Sequence, residues 1–284
     1  AMQVIWDDGD NVCGNPAPVV DEESGDVFLL TTWNLGEDHE SEIIAETSKD
    51  GRRIFSLSSK DHGKNWSAPK EITKDVKQDN WTWYATGPVH GIQLEHGPNR
   101  GRLMIPCDHI ESGTKRYYSH VIYSDDHGSS WALGGTTPLD QVNECSLAER
   151  SNGELVLNMR NYARQAGQAR QVAISKDGGL SWQDQRIDPQ LAEPRCQGAL
   201  LNVERKGKTY FLFSNPANDS SRVNMTLSIS DDEGKTWAKK HTIYPAFSAY
   251  SDLVEMADGR ILILHEGGQK SPYEAIWAST YNWE

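Results

Sequence analysis

Glu144, Arg160, Arg222, Tyr250 and Glu266 are residue types that can bind an anion and activate a hydroxyl group. A guanidinium pairs with a carboxylate through two parallel, charge-assisted hydrogen bonds. A phenol, protonated at neutral pH, becomes a nucleophile only when a neighbouring base takes its proton. Strand register brings these residues together. Around the turn Ser151-Asn152-Gly153, Glu144 and Arg160 are equidistant from Asn152 and face each other at the hairpin's open end. Around Ala257-Asp258-Gly259, Tyr250 and Glu266 are equidistant from Asp258, within a register error of one. Arg222 opens the third strand of its own repeat and joins the same rim. Taken singly, Glu144 and Arg160 read as a cross-strand ion pair and Tyr250 as a core aromatic. Two such pairs plus Arg222 on one rim favour a site.

The elements that must position them follow from an internal repeat. The pattern S-x-D-x-G-x-x-W starts at Ser59, Ser124, Ser175 and Ser230 and ends at Trp66, Trp131, Trp182 and Trp237, a period typical of repeat architectures. Each copy joins two β-prone runs. Its Asp folds back onto backbone N–H groups, its Gly tolerates a left-handed conformation, and its Trp buries the corner. The motif is a hairpin corner and by itself indicates no catalysis.

Four strands are expected per repeat, for example Ala17–Val20, Val27–Trp33, Arg53–Ser58 and the run after Trp66. The last repeat has three, Tyr250–Glu255, Arg260–Glu266 and Tyr273–Thr280, and Val4-Ile5-Trp6 reads as the outer strand of a blade begun upstream. No helical periodicity competes. The expected fold is all-β, a six-bladed β-propeller whose first blade is largely absent from this chain, with residues 1–284 as a single domain beginning in mid-blade.

Composition narrows the function. The net charge is −13, and no run of Lys or Arg offsets it, which excludes nucleic acid as a partner. A small anion requires a local arginine cluster acting against that field. Cys13, Cys107, Cys145 and Cys196 lack metal-type spacing and read as buried thiols, so no metal or redox compartment follows. The sequence shows no long apolar run for a membrane span and no signal segment.

The four corner motifs resemble Asp-boxes, the bacterial neuraminidase (BNR) repeats, and the chain resembles the exo-α-sialidase family of glycoside hydrolases. The resemblance runs through Gly14-Asn15-Pro16-Ala17-Pro18-Val19, Trp81–Pro88, Asn143-Glu144-Cys145, Asn158-Met159-Arg160-Asn161, Cys196-Gln197-Gly198 and Ala249–Leu253. Asp-boxes are weakly specific; the ordered series Glu, Arg, Arg, Tyr, Glu is highly specific. The resemblance implies hydrolysis of terminal sialic acids with retention through a tyrosyl intermediate. No cofactor is implied. Sialylated oligosaccharides, glycoproteins or glycolipids are the implied partners, and a secreted or periplasmic location is implied.

By that resemblance Tyr250 is the nucleophile and Glu144 its base. Arg160 and Arg222 are the second and third arginines of a carboxylate clamp, Glu266 orients the first, and Gln197 contacts substrate hydroxyls. A neutral phenol suits an anomeric centre that already bears a carboxylate better than an anionic nucleophile does. The family's first clamp arginine and its acid/base Asp precede the first Asp-box and have no counterpart here, so the chain is either a piece of a longer protein, the favoured expectation, or a defective propeller. Arg52 and Arg53 do not replace them and are expected to be solvated. Two alternatives remain: a non-catalytic sialoglycan-binding lectin, and a trans-sialidase or anhydrosialidase variant. Trp81, Trp83 and Tyr84 are read equally as pocket or core, Asp108 and His109 as nearer to structural, and His90 as structural.

Overall fold

The computed structural model describes residues 2–165 and 167–283. Among the described residues the chain is all-β, apart from two short helices. It divides into two compact units, one of residues up to 144 with 179–181, the other of residues 145–178 with those from 182 onward.

The first unit holds the sheet β1 (Val12–Val20), β2 (Val27–Asn34), β3 (Arg53–Ser59) and β4 (Lys70–Glu71), in that order. Helix α1 (Glu40–Ala45) follows β2, and α2 (Thr73–Val76) follows β4. The second sheet has β5 (Trp81–Thr86), β7 (Leu103–Glu111), β8 (Tyr117–Ser124) and β9 (Ala132–Thr136), with β6 (Ile92–Gln93) also on β7. Ala17, Val19, Phe28, Leu30, Ile54, Tyr84, Leu103, Ile105, Ile122 and Trp131 form one core. Burying each large side chain is worth roughly 1.5–3 kcal/mol, which is what fixes strand register.

The third sheet is β10 (Val142–Glu149), β11 (Leu155–Asn161), β12 (Ala169–Ser175) and β13 (Gln183–Ala192). A six-stranded sheet follows, with β14 (Ala199–Arg205), β15 (Lys208–Pro216), β16 (Val223–Ser230), β17 (Lys239–Glu255), β18 (Ile261–Gly268) and β19 (Ala275–Tyr281) in order. It consists of two blade-like meanders fused through β17, whose first half pairs with β16 and whose second half pairs with β18. The expected three-stranded last repeat is the second of these. The strand order within each sheet is that of propeller blades.

The corners form as the motif requires. In the first, Ser59 Oγ donates to Asp61 at 3.0 Å and accepts from Gly63 N–H at 2.8 Å, while Asp61 accepts from Asn65 N–H at 2.8 Å. The fourth repeats this with Ser230, Asp232, Gly234 and Thr236. The glycine has φ of +81° at Gly63 and +82° at Gly234, the left-handed conformation that glycine adopts without steric cost. Hydrogen bonding, led by Asn65, pushes the Asp61 carboxyl down to about 2.

Four local expectations differ from the structure. Val4-Ile5-Trp6 forms no strand; Trp6 instead packs its ring on Phe55, with centroids 4.8 Å apart. Two helices occur, both too short to leave a helical period; α1 carries a reciprocal capping box between His39 and Glu42. All four cysteines are free, but Cys13 is exposed rather than buried. Arg52 is buried, not solvated: it donates to Tyr84 O at 3.1 Å and to the side-chain oxygens of Asn34 and Asn15, with Trp83 4.2 Å from its guanidinium carbon. Neighbouring positions next to a strand point to opposite faces, so Arg52 turns inward while Arg53 turns out to pair with Asp50.

Candidate active site

In the second unit four of the candidate residues come together. Tyr250 lies in β17, Glu266 in β18, Arg160 in β11, and Arg222 immediately before β16. All four side chains are partly exposed. Arg160 Nη1 donates to the Tyr250 hydroxyl at 3.4 Å, and the Arg222 guanidinium stands 5.6 Å from the centroid of the Tyr250 ring. Two guanidiniums therefore address one phenol.

A β-bulge sets the direction of Tyr250. Ser248 pairs with Gly267 and Ser251 with His265, so Ala249 and Tyr250 together oppose Glu266. Bulges of this kind re-aim a side chain and leave backbone donors without ladder partners. Here Glu266 Oε2 accepts from the Tyr250 N–H at 3.0 Å. The register expected from the turn at Asp258 is the one observed.

Arg222 is itself anchored. Its Nη1 donates to the Tyr273 hydroxyl at 2.7 Å and its Nη2 to the Arg195 carbonyl at 3.1 Å. Burial acts against its charge, but neighbouring Cys196, Tyr273 and Tyr250 outweigh that and move its pKa upward, so it stays a cation. Tyr273 was read in the sequence only as the start of the last strand. The rule that placed Arg222 on the rim, that third strands begin there, places Tyr273 there too.

Gln197 joins this group from behind. It is fully buried and bonds to the backbone of Ser251, the residue after Tyr250. Glu144 lies in β10 and is buried. The first unit contains the remaining aromatic and acidic candidates. Trp81 and Tyr84 are core residues and Trp83 is half-buried over Arg52. Asp108 is buried and accepts from Asn143 Nδ2 at 2.8 Å. His109 and His120 face each other through Nδ1 at 3.0 Å, with the Trp81 ring stacked on His109 at 3.5 Å. Burial pushes His109 down to about 3 and His120 well below its usual range, so both are neutral. No cluster of three or more His, Cys, Asp or Glu suited to a metal occurs among the described residues.

A profile of the BNR repeat-like domain matches residues 1–263. The chain belongs to this family. The resemblance to sialidases holds as well. Over 83% of its length the chain is 32% identical to a sialidase of Bacteroides fragilis (strain YCH46), and over 89% it is 30% identical to a sialidase of Micromonospora viridifaciens. It spans only 43% and 40% of the length of those two relatives. Among solved structures, the Hadza microbial sialidase Hz136 superposes with a TM-score of 0.83 at 30% identity, covering 95% of this chain and 52% of that one. The intramolecular trans-sialidase of Ruminococcus gnavus superposes at 0.75 with 18% identity, covering 99% and 79%, a likeness of fold alone.

Proposed function

We propose that the protein carrying this chain is an exo-α-sialidase that removes terminal sialic acids from glycoconjugates with retention, Tyr250 forming the covalent intermediate. The observation that carries this reading is the Tyr250 hydroxyl within 3.4 Å of Arg160, with Arg222 on the same ring. The two guanidiniums receive the sugar carboxylate, which places the anomeric carbon beside the phenol. Their charge assists removal of the phenolic proton, for which Glu144 is the proposed base. Attack on the anomeric carbon forms the aryl glycoside bond as the bond to the aglycone oxygen breaks, that oxygen taking a proton from the proposed acid/base carboxyl of the full-length protein. Water then enters from the face the aglycone left and displaces the Tyr250 oxygen, so that two inversions give retention.

Glu266 takes a different proposed role from the one its resemblance implies: through its bond to the Tyr250 N–H it fixes the bulge. The six-bladed ring, the inclusion of both units in one catalytic domain, the range of glycoprotein and glycolipid substrates, and a secreted or periplasmic location belong to the same proposal. No helix among the described residues is long and apolar enough to cross a membrane.

The test is turnover of an aryl sialoside and of sialyllactose by the full-length polypeptide carrying this sequence, with product configuration followed by NMR. Release of the α-anomer first is the expected result. Binding of sialic acid without turnover favours the lectin alternative, and an anhydro product or transfer favours the trans-sialidase alternative.

A further inference from the structure

We propose that Gln197 is a positioning residue that fixes the backbone carrying Tyr250 and does not itself contact substrate. The inference rests on the tyrosine-nucleophile reading above. The Gln197 side chain has no solvent-exposed surface, and both polar atoms of its amide engage one residue of β17. Its Nε2 donates to Ser251 O at 2.9 Å, and its Oε1 accepts from Ser251 N–H at 2.9 Å. An amide held in this way has no accessible polar atom to offer a sugar hydroxyl.

The bulge explains why such a grip is needed. Ladder pairing is interrupted at Ala249 and Tyr250, where the nucleophile leaves the regular strand. Side chains hold the backbone at the bulge and beside it: Glu266 takes the Tyr250 N–H, and Gln197 takes the N–H and C=O of Ser251, the first residue back in register. The Ser251 hydroxyl adds a third hold, 2.8 Å from the Ser214 hydroxyl. The phenol is thereby aimed by backbone fastened within the bulge at Tyr250 and immediately after it at Ser251.

The support of Gln197 is stiff in turn. Glu193, fully buried, accepts from Cys196 N–H at 3.0 Å and from Arg164 at 2.8 Å. Arg170, also fully buried, donates to Cys196 O at 2.6 Å and to Asn158 at 2.6 Å. The same loop offers the Arg195 carbonyl to Arg222. One loop therefore places both the nucleophile and a clamp arginine. Misplacing a reacting group by about 1 Å costs on the order of 10²-fold in rate.

Two variants in the full-length polypeptide test this. Gln197→Met keeps the length and removes both hydrogen bonds; on an aryl sialoside its kcat is expected to fall ~10–100-fold with KM within about threefold of the parent. Gln197→Glu keeps the acceptor for Ser251 N–H and regains the donor to Ser251 C=O only when protonated. Its activity relative to the parent is expected to recover as pH falls, while Gln197→Met stays uniformly low. The charged groups on the packed elements are Glu193 and Glu266, which raise the pKa of the introduced carboxyl together with burial, and Arg160, Arg170 and Arg222, which lower it; Cys196 and Tyr250 are further titratable neighbours. A rise in KM at unchanged kcat identifies a direct substrate contact and overturns the proposal. So does a Gln197→Glu variant that tracks Gln197→Met at every pH; if Gln197→Met does not fold, the recovery of Gln197→Glu in acid decides alone. A parent protein that turns over no sialoside removes the sialidase reading, and this proposal falls with it. An active parent with unaltered variants removes this proposal only.

Discussion

Arg52 and Arg222 occupy the same place in their repeats, each immediately before the third strand of its meander, yet they do different work. Arg52 is buried against Asn15, Asn34, the Tyr84 carbonyl and the Trp83 face, and burial lowers its pKa to about 10, which still leaves it charged at neutral pH. Arg222 is partly exposed and stands over a phenol. Arg170, the second residue of the third strand in its own sheet, is wholly buried and holds a loop. Position in a repeat therefore fixes where a guanidinium starts from. Its partners decide whether it braces the fold or faces a ligand.

The largest effect expected within this comparison is at the phenol the exposed arginines address. Tyr250→Phe removes the nucleophilic oxygen and is expected to lower turnover by about 10³-fold or more, with an unchanged thermal midpoint. Full activity in that variant would sink the assignment. The two arginines should then separate cleanly. Arg52→Ala strands two buried acceptors, the Tyr84 carbonyl and the Asn34 side-chain oxygen, and is expected to cost about 3 kcal/mol in denaturant unfolding. Arg222→Ala is expected to raise KM roughly 10–100-fold while moving stability by less than about 0.5 kcal/mol. If both variants lose stability alike, the distinction between brace and clamp is wrong.

Much of this was legible in the sequence where the determinants are local. The Ser, Asp and Gly of each corner bond within one short turn, so spacing alone specified their geometry. Tyr250 and Glu266 were placed together because antiparallel register propagates from the turn at Asp258. Arg52 was misread because its partners Asn15, Asn34 and Tyr84 lie in three other segments, and nothing local distinguishes an inward arginine from an outward one. Gln197 is expected from the resemblance to contact substrate hydroxyls, whereas its amide bonds run to Ser251 in another strand, a partner that no local residue pattern announces. The unstranded Val4-Ile5-Trp6 shows that a strand-like composition needs a partner edge as well as propensity.

A smaller prediction concerns the imidazole pair in the first unit. His109 and His120 are neutral in the fold because burial holds both below their ordinary value of 6.5. The unfolded chain therefore binds more protons than the native one as soon as pH drops below about 6.5. Their contribution is complete above that pH and is lost on acidification toward about 3, at up to ~1.4 kcal/mol per pH unit for each histidine. Urea unfolding from pH 7 to pH 4 should show this slope, and His109→Gln should flatten it. An unchanged slope would mean that the histidines titrate normally.

The central claim, that Tyr250 is the nucleophile, is tested most directly by covalent trapping. A 2,3-difluorinated sialic acid forms its glycosyl bond to a nucleophile and, with electron-withdrawing fluorine beside the anomeric carbon, releases it slowly. The same reagent, incubated with the full-length polypeptide and followed by intact mass and peptide mapping, is expected to add one sugar to the peptide containing Tyr250 and none to the Tyr250→Phe variant. A label on Glu144 or any other side chain, or turnover by the parent with no label at all, would contradict the account.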